Sequence, residues 1–244
     1  MRIICFLVLT AIAAATASAQ SFEKRPDKFT AQSLVEALDS GHGIAGSSSI
    51  RQPDKLALTM LKDFEGWEPR PYLDSSDYCT VGYGHLIAKK HCKDIDPLPF
   101  SDGLTQTEGD ALLDEDTLTA RVGVTELVEV DLSDCQFGAL TNFVFNIGVE
   151  NFRKSTILRL INYEEHEAAA EQFGRWIRSG DDTPPGLVTR RACEAALYRG
   201  ELSLDANGVF DRKDCASGSG IASYAGEPID IVAGEKSGEV DEAE

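Results

Sequence analysis

Two carboxylates and a hydroxyl stand close together in the first half of the chain. Glu65 is followed after eight residues by Asp74, and after five more by Thr80. They lie in the run Phe64-Glu65-Gly66-Trp67-Glu68-Pro69-Arg70-Pro71-Tyr72-Leu73-Asp74-Ser75-Ser76-Asp77-Tyr78-Cys79-Thr80-Val81-Gly82-Tyr83-Gly84-His85. Glu65 closes an apolar helical pattern beside Phe64, where desolvation favours the protonated carboxyl. A carboxyl that keeps its proton near neutral pH is what a general acid needs. Asp74 sits on a polar, Ser-rich turn that suits the ionised form. Thr80 lies on a strand entering a Gly-x-Gly turn, and its hydroxyl can hold a water against Asp74. Two carboxyls in unlike environments with a positioned water are the parts for glycoside hydrolysis. The same residues, taken alone, also fit a surface acid at a helix end and an ordinary turn aspartate.

The elements that must position them follow from local pattern. Asp54 caps a helix carrying Leu58, Leu61 and Phe64, which ends near Gly66 because Pro69 and Pro71 forbid its continuation. Tyr72 to His85 alternates short β-like pieces with Ser, Asp and Gly, which predicts a small sheet with tight turns. Thr105-Gln106-Thr107-Glu108 is a capping box before a helix running to about Glu126. Ser133 caps another, with Phe137, Leu140, Phe143, Val144 and Ile147 on its apolar face. Further helical patterns span 155–160, 164–178 and 187–198, the last two separated by Pro184-Pro185-Gly186. The expected class is α+β, mainly α, with a small antiparallel β-lobe and a larger helical lobe.

The segment from Glu65 to His85 resembles the active-site segment of phage-type lysozymes (endolysins, glycoside hydrolase family 24). Three later blocks extend the resemblance in the same order. Phe143-Val144-Phe145-Asn146-Ile147-Gly148 with Phe152-Arg153-Lys154-Ser155-Thr156-Ile157-Leu158 resembles the central buried helix and its successor. Phe173-Gly174-Arg175-Trp176 and Pro185-Gly186-Leu187-Val188-Thr189-Arg190-Arg191 resemble the closing section. The likeness covers roughly Lys55 to Gly200. It implies a lysozyme-like fold, with Glu65 as general acid, Asp74 as the carboxylate that activates water, and Thr80 as the hydroxyl that helps hold it. The implied reaction is hydrolysis of the β-1,4 bond between N-acetylmuramic acid and N-acetylglucosamine by single displacement with inversion. That needs carboxyl groups ~6.5–9.5 Å apart. From the last helix, Arg190 or Arg191 is expected to reach Glu65, with Arg190 preferred. Asn146 and Tyr83 are candidates for the substrate cleft, Asn146 fitting a satisfied core amide as well. His85 reads as structural and Trp176 as core.

Three features depart from that family. Asp77 stands where a turn glycine is usual, a position that needs positive φ, which Asp tolerates. The stretch from His91 to Asp102 is longer than expected. The chain also carries an export-like start: a basic Met1-Arg2, an uncharged apolar run from Ile3 to Thr16, then Ala17-Ser18-Ala19. The run is short for a membrane span. The predicted organisation is a signal peptide at 1–19, a linker or extension at 20–52, a catalytic domain at 53–204 and an acidic, disordered tail at 205–244. From Glu227 onward the tail holds seven acids against Lys236.

The net charge of −18 over 244 residues disfavours nucleic acid and anionic membranes as partners. Removal of a signal peptide takes Cys5 with it, leaving Cys79, Cys92, Cys135, Cys193 and Cys215. None of these five has a neighbour at zinc-site spacing, so no metal or other cofactor is expected. Export favours disulfides. Cys79 and Cys92 bracket the sheet and are predicted to pair, Cys215 to pair with Cys193 or Cys135, and one thiol to stay free or bond between chains. The expected protein is a secreted monomer, extracellular or periplasmic, acting on peptidoglycan glycan strands. The competing readings are a chitin- or chitosan-cleaving relative, a lytic transglycosylase, which would lack a water-activating aspartate, and a catalytically dead wall-binding protein, against which the intact trio argues.

Overall fold

The computed structural model describes residues 50–216 and 226–235. The predicted signal peptide, and the linker up to residue 49, lie outside the described residues.

Helix α1, Lys55–Glu65, begins where Asp54 accepts a hydrogen bond from Ala57 N at 2.8 Å. It ends at Gly66, whose φ of 74° turns the chain while its N–H still reaches Lys62 O. One face, with Leu56, Ala57, Met60 and Leu61, is buried, and Glu65 is left at the C-terminal rim. The chain then enters a three-stranded antiparallel sheet in the order β1 (Glu68–Leu73), β2 (Cys79–Gly82), β3 (His85–Ala88). Pro69 and Pro71 are tolerated because β1 is an edge strand. Register places Tyr72 opposite Thr80 and Thr80 opposite Leu86, so these three share one face.

Helix α2, Gln106–Leu127, opens on the predicted capping box, with Thr105 and Glu108 bonded reciprocally. Its Gly109 lets the Trp67 ring lie flat on the helix, since a Cβ there would stand 2.1 Å from that ring. Leu61, Tyr83 and Leu113 form a small core at this junction, with Trp67 and Phe145 against it. The β-lobe is thereby fastened to both α1 and α2.

Helix α3, Asp134–Ile147, is capped by Ser133 and buries Phe137, Leu140, Phe143, Val144 and Ile147 at the centre of the main core. Around it lie α4 (Val149–Arg153), α5 (Thr156–Asn162), α6 (His166–Gln172) and α7 (Pro185–Tyr198). Pro185 stands at the start of α7, where its missing N–H costs nothing. The single helix predicted over 164–178 is broken. After α6 a 3₁₀ turn spans Phe173–Arg175, and the Trp176 carbonyl accepts from Arg191 Nε at 2.9 Å instead of continuing a helix. The short α4, which follows Gly148 at φ 83°, carries no periodicity long enough to announce it.

Cys79–Cys92 and Cys193–Cys215 are disulfides, the first as predicted and the second one of the two pairings anticipated. The expected leftover thiol is not found, since among the described residues no cysteine is free. The predicted disordered tail is also corrected over 205–216 and 226–235. Phe210, Cys215 and Ile229 are buried in the main core. Ile229 N donates to Arg175 O at 2.6 Å, and Glu235 forms an ion pair with Arg175 at 3.0 Å. Acidic composition suggested solvation, but these acids find partners on the fold. Among the described residues no helix is long and apolar enough to cross a membrane.

Candidate active site

Glu65, the last residue of α1, meets the final long helix. Arg190 Nη1 donates to Glu65 Oε1 at 2.7 Å, while Arg190 Nε donates to Glu194 Oε1 at 3.1 Å and Nη2 to Asn142 O at 3.4 Å. The preference for Arg190 over Arg191 as the partner of Glu65 therefore matches the geometry. Arg190 is almost wholly buried, whereas Glu65 keeps about a fifth of its side chain exposed, 21%. Burial opposes the charge on Arg190, but the carboxylates of Glu194 and Glu65 outweigh it and hold its pKa above the usual arginine value. The Phe64 ring packs beneath this pair, with the Arg190 guanidinium 5.5 Å and the Arg212 guanidinium 4.3 Å from its centroid.

Asp74 faces the site from the turn after β1. Its Oδ1 accepts from Ser76 N at 2.8 Å and Tyr78 N at 2.9 Å, and its N–H donates to Tyr78 O at 3.0 Å. The turn closes through Asp77 at φ 60°, the positive value predicted where the family uses glycine. Backbone donors thus fix the Asp74 carboxylate before any substrate arrives.

Thr80 lies on β2 with only 3% of its surface exposed. Its hydroxyl donates to Tyr78 O at 3.2 Å. With that proton committed, Thr80 Oγ1 is left to accept, so a water could donate one hydrogen to it and the other to Asp74.

Tyr72 lies on β1 opposite Thr80, and no motif singles it out. Burial raises the pKa of its phenol, and the negative charges of Asp74, Glu65 and Glu68 add to the effect. One phenol thus feels the charge of both carboxylates. The available signal was strand alternation: Tyr72 and Asp74 are two residues apart, and Thr80 pairs with Tyr72.

Glu194 was missed as well. It is fully buried, and its second oxygen accepts from Arg191 Nη1. Arg191 Nη2 donates in turn to Asn146 Oδ1. Burial lowers the pKa of Arg191, with Glu194 opposing. Asn146 is thus a satisfied amide at the end of the arginine network. Tyr83, read as a substrate-binding candidate, is instead packed in the junction core, where Trp67 lies 4.9 Å away and Gln106 donates to its hydroxyl. His85 pairs with Asp116 through Nδ1 at 3.0 Å, and Trp176 is fully buried against Phe143. Among the described residues no three His, Cys, Asp or Glu side chains group as a metal site.

A family model described as Phage lysozyme matches residues 62–194. The chain is 32% identical over 149 residues to an endolysin of Bacillus phage PZA, an alignment covering 60% of this chain and 55% of that protein. It thus spans about half the length of that relative. A solved structure of a P22 lysozyme mutant superposes with a TM-score of 0.53 at 32% identity, covering 61% of this chain and 99% of its own. The muramidase domain of SpmX from Asticaccaulis excentricus gives a TM-score of 0.52 at 29% identity, covering 61% and 97%.

Proposed function

The chain belongs to the phage lysozyme family, and from that premise we propose that it is an endo-acting muramidase that hydrolyses peptidoglycan glycan strands and lyses bacterial cells. The observation that carries this reading is the unlike holding of two carboxyl groups: Glu65 at a helix end against a buried arginine, and Asp74 fixed by backbone N–H groups in the hairpin whose next strand carries Thr80. Glu65 gives its proton to the glycosidic oxygen as the bond to the anomeric carbon breaks. A water between Asp74 and Thr80 attacks that carbon from the opposite face and passes its proton to Asp74. The configuration inverts. Glu65 ends as a carboxylate facing Arg190, and Asp74 ends protonated.

We also propose that the enzyme works outside the cytoplasm. Cys79–Cys92 and Cys193–Cys215 suit an oxidising compartment, as does the apolar start of the chain. Mass analysis of fragments from purified peptidoglycan tests the reading. Fragments with free reducing muramic acid ends support hydrolysis. Anhydro ends would make the protein a transglycosylase, and intact glycan would make it a binding protein.

A further inference from the structure

We propose that Glu194 is a positioning residue: its carboxylate, clamped between Arg190 and Arg191, fixes the guanidinium that faces Glu65 and sets the net charge the acid meets. The proposal rests on Glu65 being the proton donor. Glu194 lies wholly inside the protein, with one oxygen on Arg190 Nε and the other on Arg191 Nη1. Replacing a buried ion cluster by apolar side chains is often neutral or stabilising, so fold stability alone does not account for a carboxylate here.

Two consequences follow from the geometry. The first is orientation. With Nε on Glu194, Nη2 on Asn142 O and Nη1 on Glu65, the fork of Arg190 is held on every edge. Arg191 is held equally firmly, by the Trp176 carbonyl, by Asn146 and over the Phe143 ring at 4.9 Å. Glu194 joins the two, so the catalytic wall is tied to α3 at the centre of the core. The second is charge. Two guanidiniums and Glu194 present one net positive charge to Glu65. Loss of the Glu65 proton makes the cluster neutral, so proton donation relieves a buried charge. The other charged or titratable groups near Glu65 are the Tyr72 phenol from β1, on which Asp74 and Glu68 also act, and the Arg212–Asp63 pair flanking Phe64. None of these links Glu65 to Glu194.

Charge and orientation together give a signature that a merely structural residue would not. Glu194→Gln keeps an acceptor for Arg190 Nε but leaves two positive charges behind Glu65. The alkaline limb of the kcat/KM profile on purified peptidoglycan is expected to move to lower pH by about one unit, with kcat near neutrality falling roughly tenfold. Arg191→Met leaves the pair Arg190–Glu194 neutral, and the limb is expected to move to higher pH. Opposite shifts support the proposal. Unchanged limbs, or shifts in the same direction, overturn it. Should Glu194→Gln fail to fold, Arg191→Met tests the charge argument alone, an upward shift supporting it and no shift overturning it. Glu65→Gln is assayed alongside. If that variant stays active, the assignment of the acid falls and this proposal with it. If it is inactive while both limbs stay in place, the acid stands and only the role of Glu194 is lost.

Discussion

Arg190 Nη1 and Glu65 Oε1 lie 2.7 Å apart although the two residues are separated by 125 positions in the chain. The contact joins the end of the first described helix to the last long one. It also sets a buried guanidinium directly against the acid.

Removing that cation should therefore be legible in pH. Arg190→Met takes away the positive charge 2.7 Å from the Glu65 carboxyl, and the alkaline limb of activity is expected to move up. The maximal rate falls because the carboxyl is no longer oriented. Buried Glu194 loses one of its two partners, and stability should drop by about 3 kcal/mol. Thermal unfolding and a pH–rate profile check both parts; an unmoved limb would show that Arg190 does not act on the acid.

His85 and Asp116 predict a stability trend of their own. The hydrogen bond to Asp116 raises the pKa of His85 above its ordinary 6.5, with burial opposing. A value higher in the folded than in the unfolded state stabilises the fold fully below about pH 6.5, and that stability is lost as pH rises through the folded value. The gap in Tm between wild type and Asp116→Asn should be widest near pH 5 and close in mildly alkaline buffer. A gap that widens with pH would refute the pairing.

The disulfide Cys193–Cys215, spanning 22 positions, holds the segment that carries Phe210 and Arg212 against α1. Phe210 stacks near Phe64 at 6.5 Å, and Arg212 pairs with Asp63, so this segment braces the helix end that presents Glu65. The double substitution Cys193→Ser/Cys215→Ser should cost about 3 kcal/mol by loop entropy and speed tryptic cleavage at Arg212. Stability within about 0.5 kcal/mol of wild type would mean that packing alone holds the segment.

These cases also show what could be read from the chain and why. The caps at Asp54, Thr105 and Ser133 were legible because capping is settled within four residues. The placement of Glu65 at a helix end, and of Asp74 and Thr80 in one hairpin, was legible because each is settled within a short stretch of chain. Glu194 was not, since a glutamate in a helix declares nothing until Arg190 and Arg191 are known to point inward with it. The tail misled through composition. Asp230 accepts from Val232 N at 2.7 Å and Ala233 N at 2.9 Å to build a turn, and Glu235 meets Arg175, so acids expected to be solvated serve as acceptors.

Charge yields a prediction about conditions. At −18 the protein is repelled by anionic cell walls at low ionic strength. Salt shortens the Debye length from ~10 Å at 0.1 M to ~3 Å at 1 M. Activity on whole cells at neutral pH should therefore rise with added salt, while cleavage of a short neutral oligosaccharide changes little. A steady loss of whole-cell activity from low to moderate salt would contradict the repulsion argument.

The proposed reaction depends on Glu65 as the proton donor. Its most direct test is the rate of reducing-end release from purified peptidoglycan by Glu65→Gln, which removes the proton at nearly constant volume and leaves an acceptor for Arg190. A fall of ~10²–10⁴-fold is expected, with the fold intact by circular dichroism. A folded variant that keeps more than about a tenth of wild-type activity would contradict it.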